Sequence, residues 1–327
     1  MDDTTALALV VLSAVIPTLL YVWVLWWFDR YEQEPRLLLA SAFVWGALPA
    51  VVVSVVAETL LGQPFTIWDE ASSALVLSSL IAPIVEEAAK GIAVVLIFFL
   101  FHSEFDDVLD GIIYGATVGF GFAMTENLLY FFQGYQAGGM EQLTVLVLLR
   151  GLLFGLNHAL FSSVFGAALG YARTTRSWFR RFALALLGLG GAVVLHILHN
   201  LFASLADVTC YSLLLSLISD WAGLVVMLVV LLLAWQKEKL WIRSHLLSEV
   251  ANGVLTQDEY EMVGSYRKRL AAQWRALARG GHAEASRLRD LAQWATELAF
   301  KLEQNDLPAA NALRARIARL RTPAPFA

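Results

Sequence analysis

Apolar runs of twenty or more residues recur along the first 235 positions of this chain. Each such run crosses ~30 Å of hydrocarbon if helical, at 1.5 Å of rise per residue. Seven spans are read, at about 6–28, 37–61, 74–101, 108–132, 143–170, 182–206 and 211–235. The expected fold is therefore all-α, a polytopic membrane protein of about seven transmembrane helices followed by a helical tail. With 58% hydrophobic residues and a mean hydropathy of +0.64, the chain lies outside the range of soluble domains.

Charge divides the chain in two. The first 235 residues carry eight Lys/Arg against eighteen Asp/Glu, and the remainder fifteen against ten. The expected domains are a membrane-embedded 1–235 and a cytoplasmic helical hairpin or small bundle over 236–327. In the tail, Asn252-Gly253 reads as a helix stop and Thr256-Gln257-Asp258-Glu259 as a capping box. Gly280-Gly281 breaks the following amphipathic run, and Pro308 opens a short basic helix with Arg314, Arg316, Arg319 and Arg321. A basic end of this kind suits either anionic lipid or a partner. The acidic start, Met1-Asp2-Asp3, lacks the basic region of a cleaved signal peptide. The lone Cys210 excludes an internal disulfide and a cysteine-based zinc site.

Orientation follows from basic residues, which favour the cytoplasmic side. Arg30 and Arg36 follow the first span, Arg173, Arg176, Arg180 and Arg181 the fifth, and Lys237, Lys239 and Arg243 the seventh. The loops at about 62–73, 133–142 and 207–210 have none. Odd-numbered spans thus end inside, with the N-terminus outside and the tail cytoplasmic.

One span breaks the apolar rule. Glu86-Glu87-Ala88-Ala89-Lys90 lies in the middle of the third, where each charge costs at least ~2.5–3.5 kcal/mol. Lys90 is three residues from Glu87 and four from Glu86, so an ion pair on one helix face offsets part of that cost. Other spans contribute Glu126 and Asn127, then Arg150, Asn157 and His158, then His196, His199 and Asn200. Glu58 and Asp220, nearer span ends, are read as structural. Glu86 and His158 lie roughly 13 residues from the outer ends of their spans, ~20 Å along the axis, and His196 lies at a comparable depth. Ionisable groups in spans face the bundle interior, so convergence of these residues on one hydrated pocket is expected. Glycines at four-residue spacing, Gly111, Gly115 and Gly119, with Gly151, Gly155, Gly166 and Gly170, are read as close-packing positions in one bundle of spans three to six.

A carboxylate beside an imidazole can deprotonate water. His196 and Asn200, four apart, can both point at one developing oxyanion. The candidate catalytic residues are therefore Glu86, Glu87, His158, His196 and Asn200, with Lys90, Glu126, Asn127 and His199 in support. Together they describe a peptidase without a serine or cysteine nucleophile.

These residues resemble a known family. Glu86-Glu87-Ala88-Ala89-Lys90 is similar to the EExxK motif of the PrsW-type membrane proteases, Phe122-Ala123-Met124-Thr125-Glu126-Asn127 to their second motif, and Asp29-Arg30-Tyr31-Glu32-Gln33-Glu34-Pro35 to their signature after the first span. Phe154 to His158 and His196 to Asn200 fit the FxxxH and HxxxN motifs of the wider superfamily of CAAX prenyl endopeptidases and CPBP proteins. Lys90 stands where the CAAX enzymes carry a spaced arginine, which favours the PrsW side. The resemblance implies Glu86 as the base, His158 positioning its water, Glu87 assisting, and His196 with Asn200 as the oxyanion site. Between His196 and His199, the acting histidine stays open. It also implies a bacterial, multi-pass protein of the cell membrane acting on membrane-anchored proteins, a single-span anti-sigma factor in an envelope-stress response among them. No cofactor and no nucleic-acid partner are expected.

Two other readings remain. No HExxH occurs, but zinc held by His158, His196, His199 and a glutamate would make a metallopeptidase. Alternatively, the same glutamates and histidines would relay protons in a transporter, or brace a scaffold. Paired broken helices and inverted repeats, common in transporters, are not evident in the sequence.

Overall fold

A computed structural model describes residues 3–28, 31, 34–206 and 208–320. Among them every regular element is a helix. The chain divides into two compact units, one of residues 1–28 and 34–231, the other of 29–33 and 232–327.

The larger unit begins with α1 (Asp3–Phe28). Then α2 (Arg36–Trp45) and α3 (Val51–Gly62) are joined by a wide π-helical turn, Gly46–Ala50, which holds Pro49. A proline lacks the amide hydrogen that a regular turn needs, and a wide turn absorbs that defect. The same device joins α4 (Glu70–Val76) to α5 (Ala82–Leu100) through Leu77–Ile81, just ahead of Pro83. Next comes α6 (Val108–Leu146), started by a capping box in which the Asp107 carboxylate accepts from the Asp110 amide and the Asp110 carboxylate from the Asp107 amide. After it, α7 (Asn157–Arg173), α8 (Trp178–Ser204) and α9 (Cys210–Ala251) complete the spans.

Among the described residues, five helices are long and apolar enough to cross a membrane: Thr4–Phe28, Arg36–Ile67, Val108–Arg173, Trp178–Ser204 and Tyr211–Ala251. The difference from the seven expected spans has two sources. The charged helix carrying Glu86, Glu87 and Lys90 is not among the five. The fourth and fifth spans fall in one helical run, interrupted where Gly138 and Gly139 leave helical geometry, Gly139 with φ of +62°. The expected fifth span, 143–170, is not one helix either. It passes through a wide turn at Val147–Leu153, and Phe154 to Leu156 break it before α7 begins at Asn157. Irregular backbone is tolerated at membrane depth only where protein buries it or it lines a cavity. Here Phe154, Gly155 and Asn157 line one.

The α6–α7 contact is backbone against backbone. A Cβ placed on Gly111, Gly115 or Gly119 would lie 2.1, 2.4 or 2.3 Å from the carbonyl oxygen of Gly166, Ser162 or His158. On the other face of α6, a Cβ on Gly121 would lie 2.1 Å from the Phe43 carbonyl oxygen. Glycines thus hold α2, α6 and α7 together at distances that no side chain permits. Beside this seam, Leu38, Ala42, Val94, Phe98, Tyr114, Val118, Phe161, Phe165 and Ala192 form an apolar core drawn from α2, α5, α6, α7 and α8. Large apolar side chains such as Trp23, Leu187 and Val226 face outward, as a lipid-facing surface requires.

The smaller unit packs the end of α9 with α10 (Gln257–Val263), α11 (Tyr266–Glu303) and α12 (Leu307–Arg319) around Ile242, Leu246, Val263, Leu291, Leu298, Leu313 and Ile317. The Thr256/Glu259 capping box is present, and Gly253 and Gly281 take positive φ at the two expected stops. Of the basic residues read in the last helix, Arg321 lies outside the described residues. Arg269 is buried and donates to the carbonyl oxygens of Val263 and Tyr31 and to the Thr296 hydroxyl. Burial lowers its pKa from the ordinary guanidinium value to about 10, still high enough to keep its charge at neutral pH. The membrane-to-tail composition change at Trp235 falls inside α9, which continues unbroken to Ala251.

The glycine seam makes a prediction. Gly119→Val forces α6 off the His158 carbonyl and should cost at least ~1–3 kcal/mol. Gly190→Ala, with nothing within 4 Å of the added carbon, should melt like the parent. Thermal unfolding in detergent distinguishes the two.

Candidate active site

Lys90 is the hub of the polar interior. It lies on α5 and is fully buried. Its ammonium is 2.5 Å from Glu87 Oε1, 3.9 Å from Glu86 Oε2 and 3.2 Å from His158 Nδ1, and it lies over the Phe122 ring at 4.4 Å. Helical spacing alone brings the two glutamates to it. The α6–α7 seam brings the histidine, because Gly119 admits the His158 backbone.

The adjacent glutamates have unlike surroundings. Glu87 accepts from Lys90 and from His196 Nδ1, at 2.9 Å, on one oxygen, and from the Ser162 hydroxyl, at 3.2 Å, on the other. Glu87 is therefore saturated. Glu86 Oε2 is buried and takes no hydrogen bond among the described residues, with His196 Nε2 and Lys90 Nζ each 3.9 Å away. Because His196 gives its Nδ1 hydrogen to Glu87, its Nε2 presents a lone pair toward Glu86. Glu87 thus orients His196, and Glu86 Oε2 is left without a partner among the described residues.

His158 is held from both sides. Lys90 donates to its Nδ1, and its Nε2 lies 2.6 Å from Glu126 Oε2. Arg150 binds Glu126 at 2.7 Å, donates to Asn127 Oδ1 at 3.2 Å, and lies over the Tyr130 ring. The Phe161 ring stacks on His196 at 4.8 Å. Among the described residues, Lys90 and Arg150 are the cations paired with Glu86, Glu87 and Glu126, and Glu58 lines the same cavity as Glu86 and Glu126, so carboxylates outnumber cations here.

Two cavities of about 560 Å³ each open onto this centre. One is lined by Glu58, Glu86 and Phe122, the other by Arg150, Asn157, His158 and His199. They share Ser78, Glu126, Tyr130 and Asn200.

Of the residues singled out in the sequence, Glu86, Glu87, Lys90, His158, His196 and Glu126 form one contact network, joined to Asn127 through Arg150. Asn200 stands at the seam between the cavities, and its amide donates to the Ser78 carbonyl at 2.8 Å. His199 lies in a separate group with Asp220, Asn157 and Ser216. The trio of His158, His196 and His199 therefore does not assemble as a metal set. Among the described residues, the donors that do lie within 4.8 Å of one another are Glu86, His158 and His196. Helical phase explains the change: His196 and His199 are three residues apart but turn toward different neighbours, α5 and α9. Ser162 escaped the sequence reading because an intramembrane serine is unremarkable by itself, although it falls four after His158 on α7. Glu58 and Asp220, read as structural, line the cavity and anchor the second group.

Buried carboxylates and histidines enclosed by long apolar helices define a polytopic membrane protein with a buried polar centre. The sequence profile described as "PrsW family intramembrane metalloprotease" matches residues 34–235, and the chain belongs to this family. It is similar to Protease PrsW of Geobacillus kaustophilus (strain HTA426), 34% identical over 146 residues, 44% of this chain and 58% of that protein. Protease PrsW of Clostridioides difficile (strain 630) is 36% identical over 122 residues, 37% of this chain and 50% of that protein. Protease PrsW of Halalkalibacterium halodurans is 28% identical over 189 residues, 58% of this chain and 80% of that protein. The chain thus spans between half and three-fifths of the first two relatives' length. No solved structure matches it.

Removing Lys90 tests the hub. Lys90→Met leaves Glu87 buried without its cation and should destabilise the protein by ~3–5 kcal/mol. Adding Glu87→Gln should recover a large part of that loss. Detergent melting curves of the single and double variants check both.

Proposed function

We propose that this chain is an intramembrane protease that hydrolyses membrane-anchored proteins, with Glu86 as the general base. The observation that carries the reading is the asymmetry of the glutamates: Glu87 is saturated, while buried Glu86 Oε2 faces a histidine lone pair and a cavity. A water held between Glu86 and His196 Nε2 loses its proton to Glu86 as it attacks the scissile carbonyl. Asn200, at the seam of the cavities, turns from the Ser78 carbonyl to the developing oxyanion. His158, held by Lys90 and Glu126, forms the wall against which the peptide lies. The protein inserts with its N-terminus outside and its tail in the cytoplasm, as the distribution of arginines supports. Its substrate is a single-span protein such as an anti-sigma factor, whose cleavage starts a stress response.

A second reading is favoured by the Glu86, His158 and His196 donors and by Glu87 behind His196 Nδ1, the outer partner that a metal-bound histidine commonly has. These donors fit zinc in type and number, and zinc would supply Lewis acidity to a bound water. Against it, Lys90 places an ammonium beside two of the three donors, and both nitrogens of His158 are already engaged.

Co-expression with epitope-tagged single-span anti-sigma factors should yield a shortened product. Glu86→Gln and His196→Ala should each reduce it by at least about 100-fold. Product at the parent level from both variants sinks the protease reading. Elemental analysis of purified protein separates the two chemistries: less than a tenth of an equivalent of zinc, with cleavage that resists chelator, is the result expected for the metal-free version. A C-terminal tag should resist protease added to spheroplasts, and its digestion would reverse the orientation.

A further inference from the structure

The second polar group uses four side chains from three helices. Asp220 of α9 accepts on one oxygen, Oδ2, from His199 Nδ1 at 2.7 Å, from the Asn157 amide at 2.9 Å and from the Ser216 hydroxyl at 3.2 Å. Asp220, Ser216 and Asn157 are buried, with relative exposures of 3, 0 and 2%. His199 is instead partly open, and it lines the same cavity as His158, Glu126 and Asn200. Its Nδ1 faces Asp220 Oδ2, with Asn157 Nδ2 at 3.0 Å and Ser216 Oγ at 3.1 Å from the same nitrogen, and the carboxylate as the strongest acceptor there draws the Nδ1 hydrogen, while its Nε2 takes no hydrogen bond among the described residues. Phe154 and Phe161 rings pack 5.1 and 6.1 Å from its imidazole. A group that served only to tie α7, α8 and α9 together would need no imidazole edge in a cavity.

Peptide hydrolysis needs two proton transfers, one from the attacking water and one to the departing amine. The histidines of the main centre are poorly placed for the second. His158 has both nitrogens engaged, and His196 faces Glu86. We propose that the His199–Asp220 dyad is the general acid that protonates the leaving amine. This rests on the hydrolase reading above. A peptide across the seam at Ser78, Glu126, Tyr130 and Asn200 has Glu86 in one cavity and His199 in the other.

The step balances. The water oxygen bonds to the carbonyl carbon as Glu86 takes one of its protons. The C–N bond then breaks, its electron pair stays on nitrogen, and that nitrogen takes the Nε2 proton of the His199 imidazolium. Asp220 holds Nδ1–H throughout and stabilises the imidazolium, as the aspartate of a serine-protease triad does for its histidine. The proton on Glu86 then returns to His199, so one water is consumed per bond cleaved.

The test compares two leaving groups. Full-length protein in proteoliposomes is given an internally quenched single-span peptide that the parent cleaves, and the same peptide with an activated ester at the scissile bond. An activated alkoxide leaves without a proton, so an acid is dispensable for the ester alone. His199→Gln and Asp220→Asn should lower kcat on the amide by about 100-fold with KM unchanged, and His199→Gln should cleave the ester at close to the parent rate. Glu86→Gln should lose both substrates. Equal losses on amide and ester, or parent activity in His199→Gln, overturn the dyad while Glu86 still stands. Parent activity in Glu86→Gln instead overturns Glu86 as the base, and absence of any cleavage by the parent overturns the hydrolase reading. Nitrogen NMR of labelled histidines needs no substrate. Neutral His199 should carry its hydrogen on Nδ1 in the parent and shift toward the other tautomer in Asp220→Asn. An Nε2–H tautomer in the parent refutes the assignment.

Discussion

The ammonium of Lys90, buried among two glutamates and a histidine, is the interaction on which the polar interior depends. An unpaired charge in hydrocarbon costs several kcal/mol, and a paired one costs little only if its partners are held in place. Lys90 meets that condition through two partners on its own helix and one from α7. Once it is fixed, Glu87 is fixed, and Glu87 in turn fixes the tautomer and direction of His196. Glu87 thus spends its oxygens on orientation, while Glu86 Oε2 takes no hydrogen bond among the described residues.

That arrangement is possible only because the helices approach closely. Side-chain contacts alone leave axes 8–10 Å apart, and the glycines of α6 remove one layer of side chain from the contact. His158 follows from this approach, since its carbonyl lies where a Cβ on Gly119 would be. The break at Phe154 to Leu156 adds a second constraint, because α7 begins one residue before His158. The histidine, and Asn157 with it, therefore stands in the first turn of a helix, at the edge of a cavity.

Much of the site was legible because polar residues are conspicuous against lipid-compatible runs. Glu86, Glu87, Lys90, Glu126, His158 and His196 stood out on cost alone, and the i,i+3 and i,i+4 spacing named two of the ion pairs in advance. The roles were less legible. Nothing in Glu86-Glu87 says which carboxylate is saturated, since that depends on Ser162 and His196 from other helices. His199 looked interchangeable with His196, yet a 100° step per residue turns it toward Asp220. The fifth span read as continuous because hydropathy averages over the three residues that break it.

The sequence by itself determined that the chain is helical and membrane-spanning, that a polar tail follows, and which residues are too costly to be idle in lipid. Those properties are local: they depend on length, hydropathy, spacing and capping along one stretch of chain. The tertiary structure alone decided that Glu87 orients while Glu86 stays open, that His199 pairs with Asp220, and that Asn200 stands between two cavities. Each of those outcomes requires side chains from at least two helices, and their meeting depends on rotation and approach, which a linear pattern does not encode.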